Sequence, residues 1–162
     1  MNLSTRIITI LLALTWAVPA HSLVIKTEAG GLRAAIGASK DATELTVSGS
    51  LNLADFEFLA LEMRKLSALD LSGTTVKPYK GTPTFTGRTS GAANMLPDYA
   101  LLGMQLTTLR LPKGITAIGD GALGGIPLKA IEIPTTVTSI GNRAFAECTA
   151  LEEVSLPASV SS

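Results

Sequence analysis

Leu106-Thr107-Thr108-Leu109-Arg110-Leu111-Pro112 is answered by Leu128-Lys129-Ala130-Ile131-Glu132-Ile133-Pro134 and again by Leu151-Glu152-Glu153-Val154-Ser155-Leu156-Pro157. The copies open at Leu106, Leu128 and Leu151, which is close to an even step. Behind the prolines the echo continues. Ile115-Thr116-Ala117-Ile118-Gly119 returns as Val137-Thr138-Ser139-Ile140-Gly141, and Ala122-Leu123 returns as Ala144-Phe145, while the third copy is cut short at Val160-Ser161-Ser162.

A period in the low twenties carrying L-x-x-L-x-L is the signature of a leucine-rich repeat. Within each copy the last two apolar residues lie two apart, the period of a strand with one face buried. One such strand per repeat stacks in parallel at roughly 4.8 Å. The proline behind it cannot donate to the ladder and ends the strand. Val137 and Ile140 then turn inward, Gly141 is expected to take a corner at positive φ, and Ala144-Phe145 to close the coil on a short helical turn. Leu106, Leu109, Leu111, Ile115, Ile118 and Leu123 are the inward residues of one copy. Each stabilises by roughly 1.5 to 3 kcal/mol on burial. That is too little to offset about 1 to 2 kcal/mol per residue for ordering a whole coil alone, so neighbouring coils must stack. The fold class predicted is an α/β repeat: a right-handed solenoid, the leucine-rich repeat fold, of short parallel strands and short helical turns, with an N-terminal helical cap.

The cap is expected over residues 23–65, because a repeat stack otherwise exposes an apolar end. Leu23-Val24-Ile25-Lys26-Thr27 reads as a strand, and residues 29–36, with Leu32, Ala35 and Ile36 at helical spacing and Gly37 beyond, as a short helix. Residues 52–66 read as a second helix. Asn52 is its N-cap, Asp55 sits in its first turn, and Phe56, Leu59, Ala60 and Met63 form its core stripe. Glu44-Leu45-Thr46-Val47-Ser48-Gly49 has a partner about one period on, Ala68-Leu69-Asp70-Leu71-Ser72-Gly73, and both Ser-Gly pairs read as turn chemistry. Residues 66–105 then form one repeat enlarged by a Pro- and Gly-rich insertion at 74–94, followed by repeats at 106–127 and 128–150 and a partial repeat at 151–162.

At the start, Arg6 precedes the apolar run Ile7 to Val18, then Pro19 and the small-residue site Ala20-His21-Ser22. This is the layout of a secretory signal peptide, expected at 1–22 with cleavage after Ser22, or alternatively after Ala20. The run from Ile7 to Val18 is too short to span a membrane. Its removal takes away Arg6, so that 13 basic against 13 acidic residues become 12 against 13. Such a balance leaves no electrostatic footprint for nucleic acid. One cysteine, Cys148, allows no internal disulfide, and its sulfur is expected to point into the coil as a small hydrophobe.

No catalytic, cofactor or metal constellation is expected. His21, the only histidine, falls in the expected leader, so the mature chain has no His-dependent triad or zinc site. Glu147, Glu152 and Glu153 read as a solvated face at a repeat junction. The register does supply a surface. Outward positions form one column of Asp70, Arg110, Glu132 and Ser155 and another of Ala68, Thr108, Ala130 and Glu153. Within them Asp70, Thr108, Arg110, Glu132 and Glu153 make the candidate binding face, with Arg110 expected to pair with Glu132.

The pattern L-x-x-I-x-I/L-P-x-x-V-x-x-I-G-x-x-A-F-x-x-C, read from Leu128 to Cys148, resembles the BspA-type leucine-rich repeat of bacterial surface proteins. Pro112, Pro134, Pro157, Gly119, Gly141, Phe145 and Cys148 fall on family positions, whereas Leu123 replaces the Phe. The resemblance implies a non-enzymatic, exported or cell-surface recognition module without a cofactor, binding an extracellular protein or a glycan, as some members do in adhesion. The alternative is a structural N-terminal stub or spacer of a longer surface protein. The expected partners exclude nucleic acid, and the mature chain is expected to have no membrane span. The uncapped last repeat is also expected to allow end-to-end self-association.

Overall fold

The computed structural model describes residues 21–82 and 91–161. The expected signal peptide therefore lies outside the described residues except for His21 and Ser22, as does the middle of the insertion, residues 83–90. The elements are β1 (Ser22–Thr27), α1 (Leu32–Ile36), β2 (Glu44–Leu51), α2 (Leu53–Glu62), β3 (Ala68–Val76), β4 (Met95–Leu96), β5 (Thr108–Arg110), β6 (Ala117–Ile118), β7 (Ala130–Glu132), β8 (Ser139–Ile140) and β9 (Glu153–Ser155). All strand pairs among the described residues are parallel.

Three ladders run along the stack. In the first, β1, β2, β3 and β5 lie side by side in that order, with Leu23, Leu45, Leu69 and Leu109 in line. At its start one carbonyl per coil takes two N–H groups from the next. His21 O accepts from Thr43 and Glu44, Thr43 O from Ser67 and Ala68, and Ser67 O from Thr107 and Thr108. The hydroxyls of Ser67 and Thr107 reinforce the last two, each at 3.1 Å. Further on, β7 pairs with β9, but no ladder joins β5 to β7 among the described residues. The second ladder, β4, β6 and β8, is continuous, with Leu96, Ile118 and Ile140 in line.

The third ladder is built of turns. Tyr99, Leu101 and Gly103 donate to the carbonyls of Asp120, Ala122 and Gly124, and Gly121, Leu123 and Gly125 to those of Asn142, Ala144 and Ala146. Here the expectation of short helical turns is corrected, since α1 and α2 are the only helices among the described residues. Two left-handed positions per coil break any helical run. They are Tyr99 and Gly103 (φ 54° and 70°), Gly121 and Gly125 (58° and 67°), and Arg143 and Glu147 (54° and 59°). The alternate N–H groups are thereby turned onto the neighbouring coil.

Gly141 needs a different explanation from the one expected, because neither it nor Gly119 has a positive φ. The coil behind is simply too close. A Cβ on Gly141 would lie 2.5 Å from Asp120 Oδ1 and 2.6 Å from Asp120 N, and one on Gly119 would lie 2.5 Å from Asp98 Oδ1. Those carboxylates bridge coils: Asp98 Oδ1 accepts from Asp120 N at 2.9 Å, and Asp120 Oδ1 from Asn142 N at 2.6 Å.

Residues 23–65, expected as a cap over the first strand, supply two rungs of the first ladder themselves. Their inward side chains Ile25, Leu32, Ile36, Leu45 and Val47 are at most 4% exposed. The expected helix at 29–36 begins only at Leu32, after a turn in which Gly31 N bonds Glu28 O and Gly30 is left-handed (φ 83°). Gly37 closes it at φ 59°. At the start of α2, Asn52 Oδ1 accepts from Ala54 N, and Asp55 returns to Asn52 N. This helix stops at Glu62, short of the expected 66, where Leu66 N bonds Met63 O instead.

Two boundaries differ for one reason. β2 and β3 run past their Ser-Gly pairs, so Ser48-Gly49 and Ser72-Gly73 lie inside strands, beside a register shift between Thr46 and Ser48. Pairing resumes after the shift at Ser48 with Gly73, and Gly49, with φ 101°, leaves no room for a Cβ, which would run into Thr27 O. The insertion thus begins after Val76, not at residue 74.

Candidate binding face

On β3 and β5 the outward side chains face away from the buried row Leu69 and Leu109, and the pairing sets Ala68 beside Thr108 and Asp70 beside Arg110. Asp70, Thr108 and Arg110 therefore meet as expected. Arg110 is exposed, and its ionic partner is Asp70, with Nη1 3.7 Å from Oδ2, in place of the expected Glu132. The reason is the interrupted ladder, which couples Arg110 to β3 on one side and not to β7 on the other. Glu132 and Glu153 lie on the separate β7–β9 pair, where Glu132 is in register with Ser155 and Ala130 with Glu153. So the five candidate residues form two groups, three on β3–β5 and two on β7–β9.

The Asp70 carboxyl sits in a local balance of opposing effects. Partial burial by itself raises its pKa, but hydrogen bonds from Ser72 and the charges of Arg110 and Lys113 outweigh that and hold it below its ordinary value. Ser72 N donates to Asp70 Oδ1 at 2.8 Å. The carboxylate is thus fixed on the strand surface as an anion with one oxygen toward Arg110. Upstream the same columns extend to Thr46 and Glu44 and then to Val24 and Ser22, and those four side chains are exposed.

Sequence reasoning missed a pair on the turn ladder. Tyr99 is 40% exposed and Leu102 50%. Their side chains lie over Gly121 and Gly124 of the next coil, where an added Cβ would come within 2.6 Å of the tyrosine ring and 2.9 Å of Leu102 Cδ1. The signal was available. One repeat on from Tyr99 and Leu102 stand two glycines, and a bulky residue beside a glycine on the next rung is a side chain laid over bare backbone.

Cys148 occupies the column of Met104 and Ile126, half-buried, and its Sγ donates to Leu123 O at 3.0 Å. Glu147, Glu152 and Glu153 are exposed, and among the described residues no three His, Cys, Asp or Glu side chains are placed to hold a metal. None of the described helices is long and apolar enough to cross a membrane.

Residues 92–162 match the family model described as BspA type leucine rich repeat region (6 copies). No curated protein matches the chain.

Proposed function

Residues 92–162 belong to the BspA-type leucine-rich repeat family, and on that premise we propose that the protein is an exported, non-enzymatic recognition module that binds an extracellular protein through its strand face. The observation behind this reading is the open outer surface of β1, β2, β3 and β5. Ser22, Val24, Glu44, Thr46, Thr108 and Arg110 are exposed on strands whose inner sides are buried. A backbone fixed by a ladder presents those side chains without further ordering, which limits the entropy lost on association. Charges of both signs with no aromatic ring suit the complementary polar surface of a protein better than a sugar, for which aromatic stacking is the usual platform.

The test is adhesion of beads bearing the exported protein to surfaces coated with extracellular matrix proteins, compared with a Thr108→Arg/Arg110→Glu variant and a Thr138→Arg control on the opposite ladder. Loss with the face variant alone, at an unchanged melting temperature, is the expected result. Equal adhesion by all three would overturn the strand face as the site, and no adhesion to any surface would favour the spacer reading.

A second reading has its own support at the other end of the stack. β9 is an edge strand among the described residues, and Val154 and Leu156, in the columns of buried Ile131 and Ile133, are 36% and 57% exposed. That edge suits end-to-end association with a second copy. Light scattering across a hundredfold concentration range tests it, with mass rising with concentration expected and a constant monomer mass counting against it.

A further inference from the structure

The turn ladder carries a surface of its own. Because Tyr99 N bonds Asp120 O and Gly121 N bonds Asn142 O, three successive coils set Tyr99, Gly121 and Arg143 in one row. The bonds from Gly103 N to Gly124 O and from Gly125 N to Ala146 O set Leu102, Gly124 and Ala146 in another. The first row has a left-handed backbone throughout, at φ 54°, 58° and 54°. Glycine adopts that conformation freely, and an aromatic residue only at a cost. The middle coil has the glycine. The coil before it holds Tyr99 there instead, 40% exposed and outside the hydrophobic core, and among the described residues no other aromatic side chain is exposed.

Gly121 and Gly124 put no side chain in the way, so the Cδ1–Cε1 edge of the Tyr99 ring and the Cδ1 of Leu102 lie over buried glycine backbone. The result is a flat apolar platform. Two rungs from Tyr99, roughly 10 Å at about 4.8 Å per rung, it is edged by the exposed side chains of Arg143 and its neighbour Asn142. Such a surface fits a molecule with one C–H face and a rim of hydroxyls. A pyranose with equatorial hydroxyls has both. Its axial C–H bonds form an apolar face that packs on an aromatic ring, and its hydroxyls point outward to amide and guanidinium groups. Charge narrows the class further. Residues 97–105, 119–127 and 141–149 carry Asp98, Asp120 and Glu147 against Arg143, a balance that disfavours an acidic sugar.

We propose that Tyr99 and Leu102 form a platform for neutral β-linked oligosaccharides of the glucose or N-acetylglucosamine type, with Asn142 and Arg143 bonding the hydroxyl rim. The site is separate from the strand face and does not depend on it. The experiment is titration of the full chain with chitotetraose and cellotetraose, followed by saturation-transfer NMR, alongside Tyr99→Gly and the Thr108→Arg/Arg110→Glu variant. Tyr99→Gly removes the ring but suits the left-handed backbone, as Gly121 does one coil on. The expected result is a dissociation constant on the order of a millimolar for at least one of the sugars. Binding should weaken by at least about fivefold in Tyr99→Gly, at an unchanged melting temperature, and stay unchanged in the strand-face variant. No binding of either sugar, or equal binding by Tyr99→Gly, would overturn the platform. Loss of matrix-protein adhesion in Tyr99→Gly without any sugar binding would make the patch a protein hot spot and overturn the proposal as well.

Discussion

Asp55 is 1% exposed, and its carboxylate accepts three backbone N–H groups: Gly30 at 2.6 Å, Leu32 at 3.0 Å and Asn52 at 2.9 Å. It joins the entries of both helices, which belong to different coils. In sequence it reads only as a favourable charge in a first helical turn, because Gly30 and Leu32 stand a whole coil earlier in the chain. Asp55→Ala leaves these donors with no acceptor at about 1 to 3 kcal/mol each, so a loss of at least about 3 kcal/mol is expected in urea denaturation. A loss under about 1 kcal/mol would show that water replaces the carboxylate. Gly141→Ala is expected to cost about 1 to 3 kcal/mol through its clash with Asp120, whereas Gly114→Ala, with open space around it, is expected to be near neutral. Asp70 offers a pH readout. Its folded pKa is lowered, so the folded state holds its proton less tightly than the unfolded chain. The resulting stabilisation is present above the unfolded pKa and is lost as pH falls through the folded one. Carbon-detected NMR titration should give a depressed midpoint that moves up in Arg110→Ala, and an unmoved midpoint would remove Arg110 from the account.

At the scale of elements, the strand columns were the most legible part of the chain. Leu109 and Ile131 are 7% and 4% exposed and Leu111 and Ile133 are 4% and 3%, as an alternating pattern with one buried face requires. The second ladder was harder to see. Its strands are too short, a dipeptide each, to show any periodicity. Arg110's partner was also hidden, because sequence spacing gives the column in which a residue stands but not which neighbouring rung it bonds. Burial along a column predicts mutational cost. Leu111→Ala, inside the stack, should destabilise by about 2 to 5 kcal/mol, and Leu156→Ala, 57% exposed, by much less. Ile131→Asp places an unpaired charge in the same core and should unfold the coils around it cooperatively. A melt within a degree or two of the unmodified protein would contradict its buried position.

Across the molecule, coils meet only their neighbours, so stability is expected to grade along the axis rather than act as one block. Amide protection in hydrogen exchange should be greatest in β2 and β3, which share most of their length, and least in β9, whose residues are all exposed. Uniform protection from β2 to β9 would refute that gradient. The early coils were the least legible at this scale. Their strands are in register from Ser22, Glu44 and Ala68, but the next rung waits until Thr108, so the simple period fails where the insertion enters. A helix-rich opening reads as a lid because its strands carry no proline mark like those at 112, 134 and 157.

The missing rung between β5 and β7 has a mechanical consequence. Across that junction the coils are tied by the second ladder and the turns, while the strand side has no corresponding ties among the described residues. Such a rod bends more easily in one direction than in any other, splaying its strand side like the spine of a book. If shear acts on the molecule at a surface, the first give is expected there, widening the gap between Arg110 and Glu132 before any hydrophobic layer is torn.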